Sequence, residues 1–173
     1  QPWATTVASV IDILRTLAWF EHVRDFLQRN VDPKFKTPYA VGKFINPHTY
    51  RGASAGFAHD NLWAKYATGV HCPGTATLAA VEEKVPGATA VYDSPLWAML
   101  NIANPVGNQV GDGLNRLRVG VQESLYNSKL LRFGMYQRRN VSQAMLCSLE
   151  RQAVGLDSLA AVVLLLKEAH EAS

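Results

Sequence analysis

Apolar residues recur at spacings of three and four along most of this chain, which is the spacing of one face of an α-helix. The longest such stretch covers residues 5–27, with Thr5 or Thr6 as its expected N-cap. Alternation of apolar and polar residues, which marks a half-buried β-strand, is scarce. The pattern therefore predicts an all-α protein.

Several shorter helices are predicted, each bounded by residues that cap or break a helix. Thr37 with Pro38 opens one and Ser94 with Pro95 opens another, because a proline in the first turn has no N–H that the helix would need. Gly69 suits a left-handed cap at the end of a third. These helices are predicted over residues 37–45, 61–68, 75–85, 94–103, 114–126, 142–153 and 158–171.

The clearest interruption of the helical pattern is "NPVGNQVGDG" at residues 104–113. We predict a linker there, because no strand precedes it and its glycine spacing fits no phosphate-binding loop. The chain then divides into an N-terminal helix with its connector, a central domain, the linker and a C-terminal helical bundle region. These parts cover residues 1–36, 37–103, 104–113 and 114–173.

The last predicted helix is apolar around nearly its whole circumference in "LAAVVLLL". Such a helix is buried in a core or against a partner. We expect Leu159, Val163 and Leu166 to face the core. Leu165 is then expected nearest to a partner, either a second copy of the chain or another helical protein.

Composition describes a folded protein and leaves the class of partner open. The chain has 173 residues, of which 48% are hydrophobic and 18% charged, and its net charge of +3 permits an anionic partner without requiring one. Cys72 and Cys147 predict reduced thiols in a cytoplasmic protein. The longest apolar run, residues 159–166, is too short to span a membrane, and no signal peptide is apparent.

Candidate catalytic and metal-binding residues form no convincing motif. "GLDSLAAV" is similar to the phosphopantetheine attachment site of acyl carrier proteins, but a carrier domain needs two more helices after Ser158, so a helix cap is the favoured interpretation. His48, His59, His71 and Cys72 match no zinc-ligand spacing. We therefore expect no enzyme, no metal and no cofactor.

Residues 29–71 combine basic and aromatic side chains, and the only acidic residues among them are Asp32 and Asp60. A basic face is the electrostatic footprint of a protein that contacts phosphates, although a solvated basic surface is an equally good interpretation. The basic residues are Arg29, Lys34, Lys36, Lys43, Arg51 and Lys65, with His48, His59 and His71. By contrast, the charged run of residues 82–84, "EEK", predicts the solvated face of a helix.

A specific spacing of aromatic, glycine, proline and aliphatic residues follows the basic loop. Its members are Trp63, Tyr66, Gly69, Pro73, Leu78, Val81 and Val85. The spacing resembles the second half of the Cro/repressor-type, Xre-like, helix-turn-helix family. In that family a recognition helix ends in a glycine, and a proline precedes the next helix.

The resemblance implies a divergent helix-turn-helix over residues 37–87. Residues 37–45 would be the supporting helix, with Val41, Gly42 and Ile45 matching the family's pattern. The family joins its two helices by a short turn, whereas here residues 46–60 intervene as an exposed loop. The expected DNA-binding residues are Lys43, Arg51, Asn61, Lys65 and His71.

Two functions from different classes remain open. The resemblance implies a DNA-binding protein of bacterial or phage type, such as a transcriptional regulator, that binds double-stranded DNA as a dimer. The alternative is a non-catalytic protein-interaction module on the same fold, in which DNA reading is lost. The chemistry of the outward side chains in residues 61–65 distinguishes them, since polar donors favour DNA and apolar side chains favour protein.

Overall fold

The computed structural model describes residues 9–50, 61–101, 110–132, 135–152 and 155–173. These residues are mostly helical, which confirms the all-α prediction, and they include one two-stranded β-hairpin. The chain forms two compact units, the N-terminal unit of residues 1–93 and the C-terminal unit of residues 94–173. None of the helices within the described ranges is long and apolar enough to cross a membrane.

Helix α1, Val10–Asn30, begins later than the sequence pattern predicts. Ser9 is extended, with ψ 155°, and its hydroxyl accepts the backbone N–H of Asp12 at 3.1 Å. The Asp12 carboxylate accepts the N–H of Ser9 at 3.3 Å in return, which completes a capping box. The helix therefore starts at Val10, and the predicted caps Thr5 and Thr6 lie outside the described residues.

The described residues of the N-terminal unit form four further helices. They are α2, Pro38–Ile45; α3, Leu62–Ala67; α4, Thr75–Glu82; and α5, Ala88–Tyr92, with a 3₁₀ turn at Pro47–Tyr50. Helix α1 packs against α3 and α5, while α2 packs against α3 and α4 against α5. Thr37 caps α2 as predicted, and its hydroxyl accepts the N–H of Ala40 at 3.2 Å.

The core of the N-terminal unit is built around the indole of Trp19, which is fully buried. The rings of Trp63, Tyr66 and Tyr92 lie with their centroids 6.2, 5.7 and 6.2 Å from that indole. Aromatic pairs at these distances add to the free energy gained by burial alone. The buried neighbours include Phe20, Val23, Leu27, Val41, Ile45, Val81 and Val85.

The C-terminal unit contains five helices and the hairpin among its described residues. These elements are α6, Pro95–Met99; α7, Val110–Asn115; α8, Val119–Leu125; β1, Tyr126–Arg132; β2, Met135–Arg138; α9, Gln143–Arg151; and α10, Asp157–Glu171. Helices α6 and α7 pack against α10, and α8 packs against α9. Ser94 caps α6 as predicted, although that helix ends at Met99 and not at residue 103.

The prediction of one continuous helix over residues 114–126 is wrong. The chain turns between α7 and α8, where Gln122 Nε2 donates to the carbonyls of Asn115 at 2.8 Å and Leu117 at 2.6 Å. Helix α7 also takes up the last residues of the predicted linker, because Val110 and Leu114 bury one face there despite two glycines. The rest of that linker, residues 104–109, lies outside the described residues.

The hairpin was not predicted. Strands β1 and β2 are antiparallel, with Tyr126 opposite Arg138 and Arg132 opposite Met135. The register shifts between Asn127 and Leu131, so β1 does not keep the strict alternation that reveals a strand in a sequence.

The predicted orientation of α10 is also wrong. Leu159 and Leu166 are 52% and 65% exposed, whereas Leu165 is buried. The helix buries the face that carries Ala161 and Leu164, where small side chains let neighbouring helices approach closely. A Cβ added to Gly113 on α7 would lie 3.0 Å from Leu164, which shows how tight that contact is.

Candidate nucleic-acid interface

Helix α3 is anchored by two aromatic side chains on one face. Trp63 and Tyr66 are both buried, and their rings meet edge to face with centroids 5.5 Å apart. Residues three apart share a face of a helix, so burying this pair leaves the opposite face of α3 outward.

The exit from α3 forms a tight C-terminal cap on Gly69. The N–H of Gly69 donates to Tyr66 O at 3.1 Å and that of Val70 donates to Lys65 O at 2.9 Å, the two bonds of a Schellman motif. Gly69 has φ +70°, which confirms the predicted left-handed cap. A Cβ there would lie 2.7 Å from Ile13 Cγ2, so glycine also allows α3 to end directly against α1.

The C-terminus of α2 is held by a lysine that the sequence pattern assigned to a solvated face. Lys84 Nζ donates to Phe44 O at 2.6 Å and to Ile45 O at 3.0 Å, and it lies 4.9 Å from the centroid of the Phe44 ring. A cation at this end of a helix satisfies carbonyls that lack partners and opposes the helix dipole. Lys84 therefore fixes α2 to the segment that follows α4.

Glu82 also has a structural role in place of the predicted solvated one. Its carboxylate accepts the backbone N–H of Gly87 and that of Thr89, both at 2.7 Å, and so caps the start of α5. The bond from Thr89, followed by that from Gly87, holds the pKa of Glu82 below its usual range. The neighbouring Glu83 is exposed, as predicted.

Four of the five predicted DNA-binding residues belong to the described part of the chain, and all four are exposed. Lys43 lies on α2, Asn61 precedes α3, Lys65 lies on α3, and His71 lies in the loop between α3 and α4. Arg51 lies outside the described residues. Leu62 and Ala64, which lie between Asn61 and Lys65 in the sequence, are half-buried.

Two of these residues have geometries that bear on binding. Asn61 occupies the N-cap position of α3 but makes no side-chain capping bond, unlike Thr37 at α2. The imidazole of His71 stacks on the Tyr66 ring, with centroids 5.9 Å apart and planes 22° apart. The stack orients His71 beside the end of α3.

The charges of the basic segment are partly balanced by local ion pairs. Arg29 Nε lies 2.8 Å from Asp25 Oδ1, and Lys34 Nζ lies 2.7 Å from Asp32 Oδ2. The bonds that Asp32 accepts from the Lys34 side chain and backbone lower its pKa. Both pairs are well exposed and therefore contribute little to stability.

Among the residues that the structure describes, the other candidate motifs do not form sites. The Ser158 side chain is buried inside α10, one residue past its start, and its hydroxyl has no partner among the described residues. It is neither the predicted cap nor accessible to a modifying enzyme. Asp157 instead accepts the backbone N–H of Arg118 at 2.8 Å. Within the described ranges, no three histidine, cysteine or acidic side chains converge on a point that would hold a metal.

Comparison with known proteins identifies no relative of this chain. No family model matches the chain, and neither a curated protein nor a solved structure matches it. The resemblance to the Xre-like family stays a prediction.

Proposed function

We propose that the N-terminal unit binds double-stranded DNA through α2, α3 and the α3–α4 loop, in the manner of a helix-turn-helix regulator. Helix α3 would enter the major groove, and α2 would lie across the phosphate backbone. Arg51, which follows α2 in the sequence, would add a phosphate contact.

The observation that carries the proposal is the division of α3 into an anchored face and a polar outward face. Trp63 and Tyr66 fix the helix in the core. Asn61 and Lys65 are the exposed residues of positions 61–67, and both carry hydrogen-bond donors. The Asn61 amide does not cap its helix, and an asparagine amide can pair with the edge of an adenine.

The charge around this face supports a polyanionic partner. Lys43, Lys65 and His71 lie on or next to α2 and α3, and the sequence has a single acidic residue, Asp60, between positions 33 and 81. Neutralising phosphates with lysine and arginine releases counterions from DNA and makes the affinity fall as salt rises.

The proposal is tested by measuring affinity for a random duplex across a range of salt. In fluorescence anisotropy, Lys43→Ala with Lys65→Ala should weaken binding and reduce the salt slope by roughly one unit for each phosphate that is no longer neutralised. Arg116→Ala with Arg151→Ala removes the same charge from exposed positions of the C-terminal unit. That control should bind as the wild type does, and equally weakened binding in both variants would contradict the proposal.

A second candidate function is association through α10. Leu159 and Leu166 are seven residues apart, so they lie on one face of the helix, and both are exposed. An exposed apolar stripe fits a second copy of the chain or another helical protein. Light scattering should then give a dimer for the wild type and a monomer for Leu159→Gln with Leu166→Gln, whereas a monomeric wild type at high micromolar concentration rules out the homodimer.

A further inference from the structure

An open groove of about 510 Å³ lies between the end of α1, the connector that follows it, and α2. Apolar and aromatic side chains form its floor, and two lysines stand at its rim. The floor residues are Val31, Phe35, Tyr39 and Phe44, and the rim lysines are Lys34 and Lys43.

The floor of the groove is preformed but incompletely covered. The Phe35 and Phe44 rings lie with their centroids 5.0 Å apart, and Phe35 is buried. Val31 and Tyr39 remain 50% and 55% exposed. Covering these side chains would remove apolar surface from water without any rearrangement of the two phenylalanines.

The rim is positively charged. Asp32 is the one acidic residue among those that line the groove, and it is already paired with Lys34 at 2.7 Å. Lys43 is exposed on the opposite side, on α2. A partner that fits this groove therefore presents apolar side chains to the floor and negative charge to the rim.

We propose that the groove binds an acidic amphipathic segment of another protein. A helical segment with apolar residues at spacings of three and four would fill the floor, and a carboxylate on its flank would meet Lys43, since Lys34 is already paired with Asp32. A nucleic-acid backbone fits less well, because it would pair with lysine but leave the exposed surfaces of Val31 and Tyr39 uncovered.

This site goes beyond the proposed DNA-binding function and does not depend on it. Lys43 belongs to both surfaces, so an acidic segment in the groove would compete with DNA for that side chain. Val31 and Tyr39 belong to the groove alone. Substitutions at these two positions therefore separate the groove from the DNA face.

The test uses the full chain and a fluorescein-labelled helical peptide that has leucine on one face and glutamate elsewhere. A scrambled peptide of the same composition and a version with lysine for glutamate are the matched probes. The acidic amphipathic peptide should bind at least about tenfold more tightly than either. Val31→Ser with Tyr39→Ser should weaken its binding by at least about tenfold.

Val119→Ser is the control, because Val119 is a 69% exposed valine of the C-terminal unit, and its peptide binding should match the wild type. Duplex DNA affinity should stay within about twofold in the groove variant, whose melting temperature should also match the wild type. No binding, equal binding of the scrambled peptide, or full binding by the groove variant would overturn the inference. So would a single-stranded oligonucleotide that displaces the peptide and itself loses affinity in the groove variant. Peptide binding without any duplex binding would support the groove proposal and contradict the DNA proposal.

Discussion

The two units build their cores and surfaces from different side chains. The N-terminal unit has an aromatic centre of Trp19, Trp63, Tyr66 and Tyr92, and its exposed residues around α2 and α3 are mainly lysines and polar groups. The C-terminal unit buries mostly aliphatic side chains, while α10 leaves leucines on its surface. Each unit thus has its own chemistry for contacts with other molecules.

The side chains that the core buries decide which side chains a helix presents to solvent. In the N-terminal unit, the core buries the large side chains of α3, so polar residues of this segment are exposed to solvent. In α10, small residues make up much of the buried face, and Leu159 and Leu166 are exposed to solvent. The first arrangement favours a charged partner and the second an apolar one.

The largest expected effect comes from removing the aromatic anchor of α3. Trp63→Ala should destabilise the protein by about 3–5 kcal/mol, since it deletes a buried indole that contacts two other rings. Thermal unfolding measures this directly. An unchanged melting temperature with altered binding would show that Trp63 is an exposed contact residue. It would contradict the aromatic core of the N-terminal unit.

A glycine series separates backbone strain from close packing at the end of α3. Gly69→Ala should cost about 2–4 kcal/mol, because it combines a positive φ with a clash against Ile13. Gly87 has φ +89° but open space around its Cβ position, so Gly87→Ala should cost only about 1 kcal/mol.

Gly111 completes this series, since it lies in α7 with neither a positive φ nor a close neighbour. Gly111→Ala should be neutral or slightly stabilising, because alanine is the better helix former. Chemical denaturation of the three variants gives the order. A Gly69→Ala variant as stable as Gly87→Ala would refute the tight contact between α3 and α1.

Glu82 makes the stability of the N-terminal unit depend on pH. Its pKa is lowered by the N–H groups it accepts, so this stabilisation is complete above the ordinary glutamate pKa of about 4.3 and is lost as the pH falls through the lower folded value. Glu82→Gln should cost about 0.5 kcal/mol at neutral pH after solvent screening.

The measurement is the melting temperature from about pH 6 to about pH 3, where Glu82→Gln should flatten the acid limb of the profile. Glu83→Gln removes the same charge from the adjacent exposed residue and should leave the profile unchanged. If the two variants gave the same profile, Glu82 would not be the cap of α5.

The smallest effect is expected at the displayed leucines of α10. Leu159→Gln and Leu166→Gln should each change the stability of the monomeric chain by no more than about 0.5 kcal/mol, because both side chains are exposed. Leu164→Ala, at a buried position of the same helix, should cost about 2–5 kcal/mol. Denaturant unfolding at low protein concentration measures all three. Equal destabilisation by the three substitutions would restore the predicted orientation of α10.

The sequence predicted best where local chemistry decides the structure. Thr37 and Ser94 cap their helices, and Gly69 ends α3, because these roles depend on neighbouring residues alone. The predictions from the sequence failed where contacts between distant residues decide the structure. The roles of Lys84 and Glu82 require partners that the fold supplies, and nothing in "EEK" distinguishes them from Glu83.

The apolar pattern was also insufficient where too many residues are apolar. In α10 it could not select the buried face, which combines Leu164 and Leu165 with small side chains and leaves other leucines exposed. The bulge in β1 removed the alternation that predicts a strand. The groove was missed for a related reason, since Val31, Tyr39 and Phe44 come from segments that only the fold brings together.

NMR tests the proposal that the outward face of α2 and α3 contacts DNA. Backbone amide shifts of the full chain are followed while a random duplex of about 20 base pairs is added. The largest shift changes are expected at Lys43, Asn61, Lys65 and His71, and the shifts of α10 should not change. Changes confined to the C-terminal unit, or none at all at low salt, would contradict it.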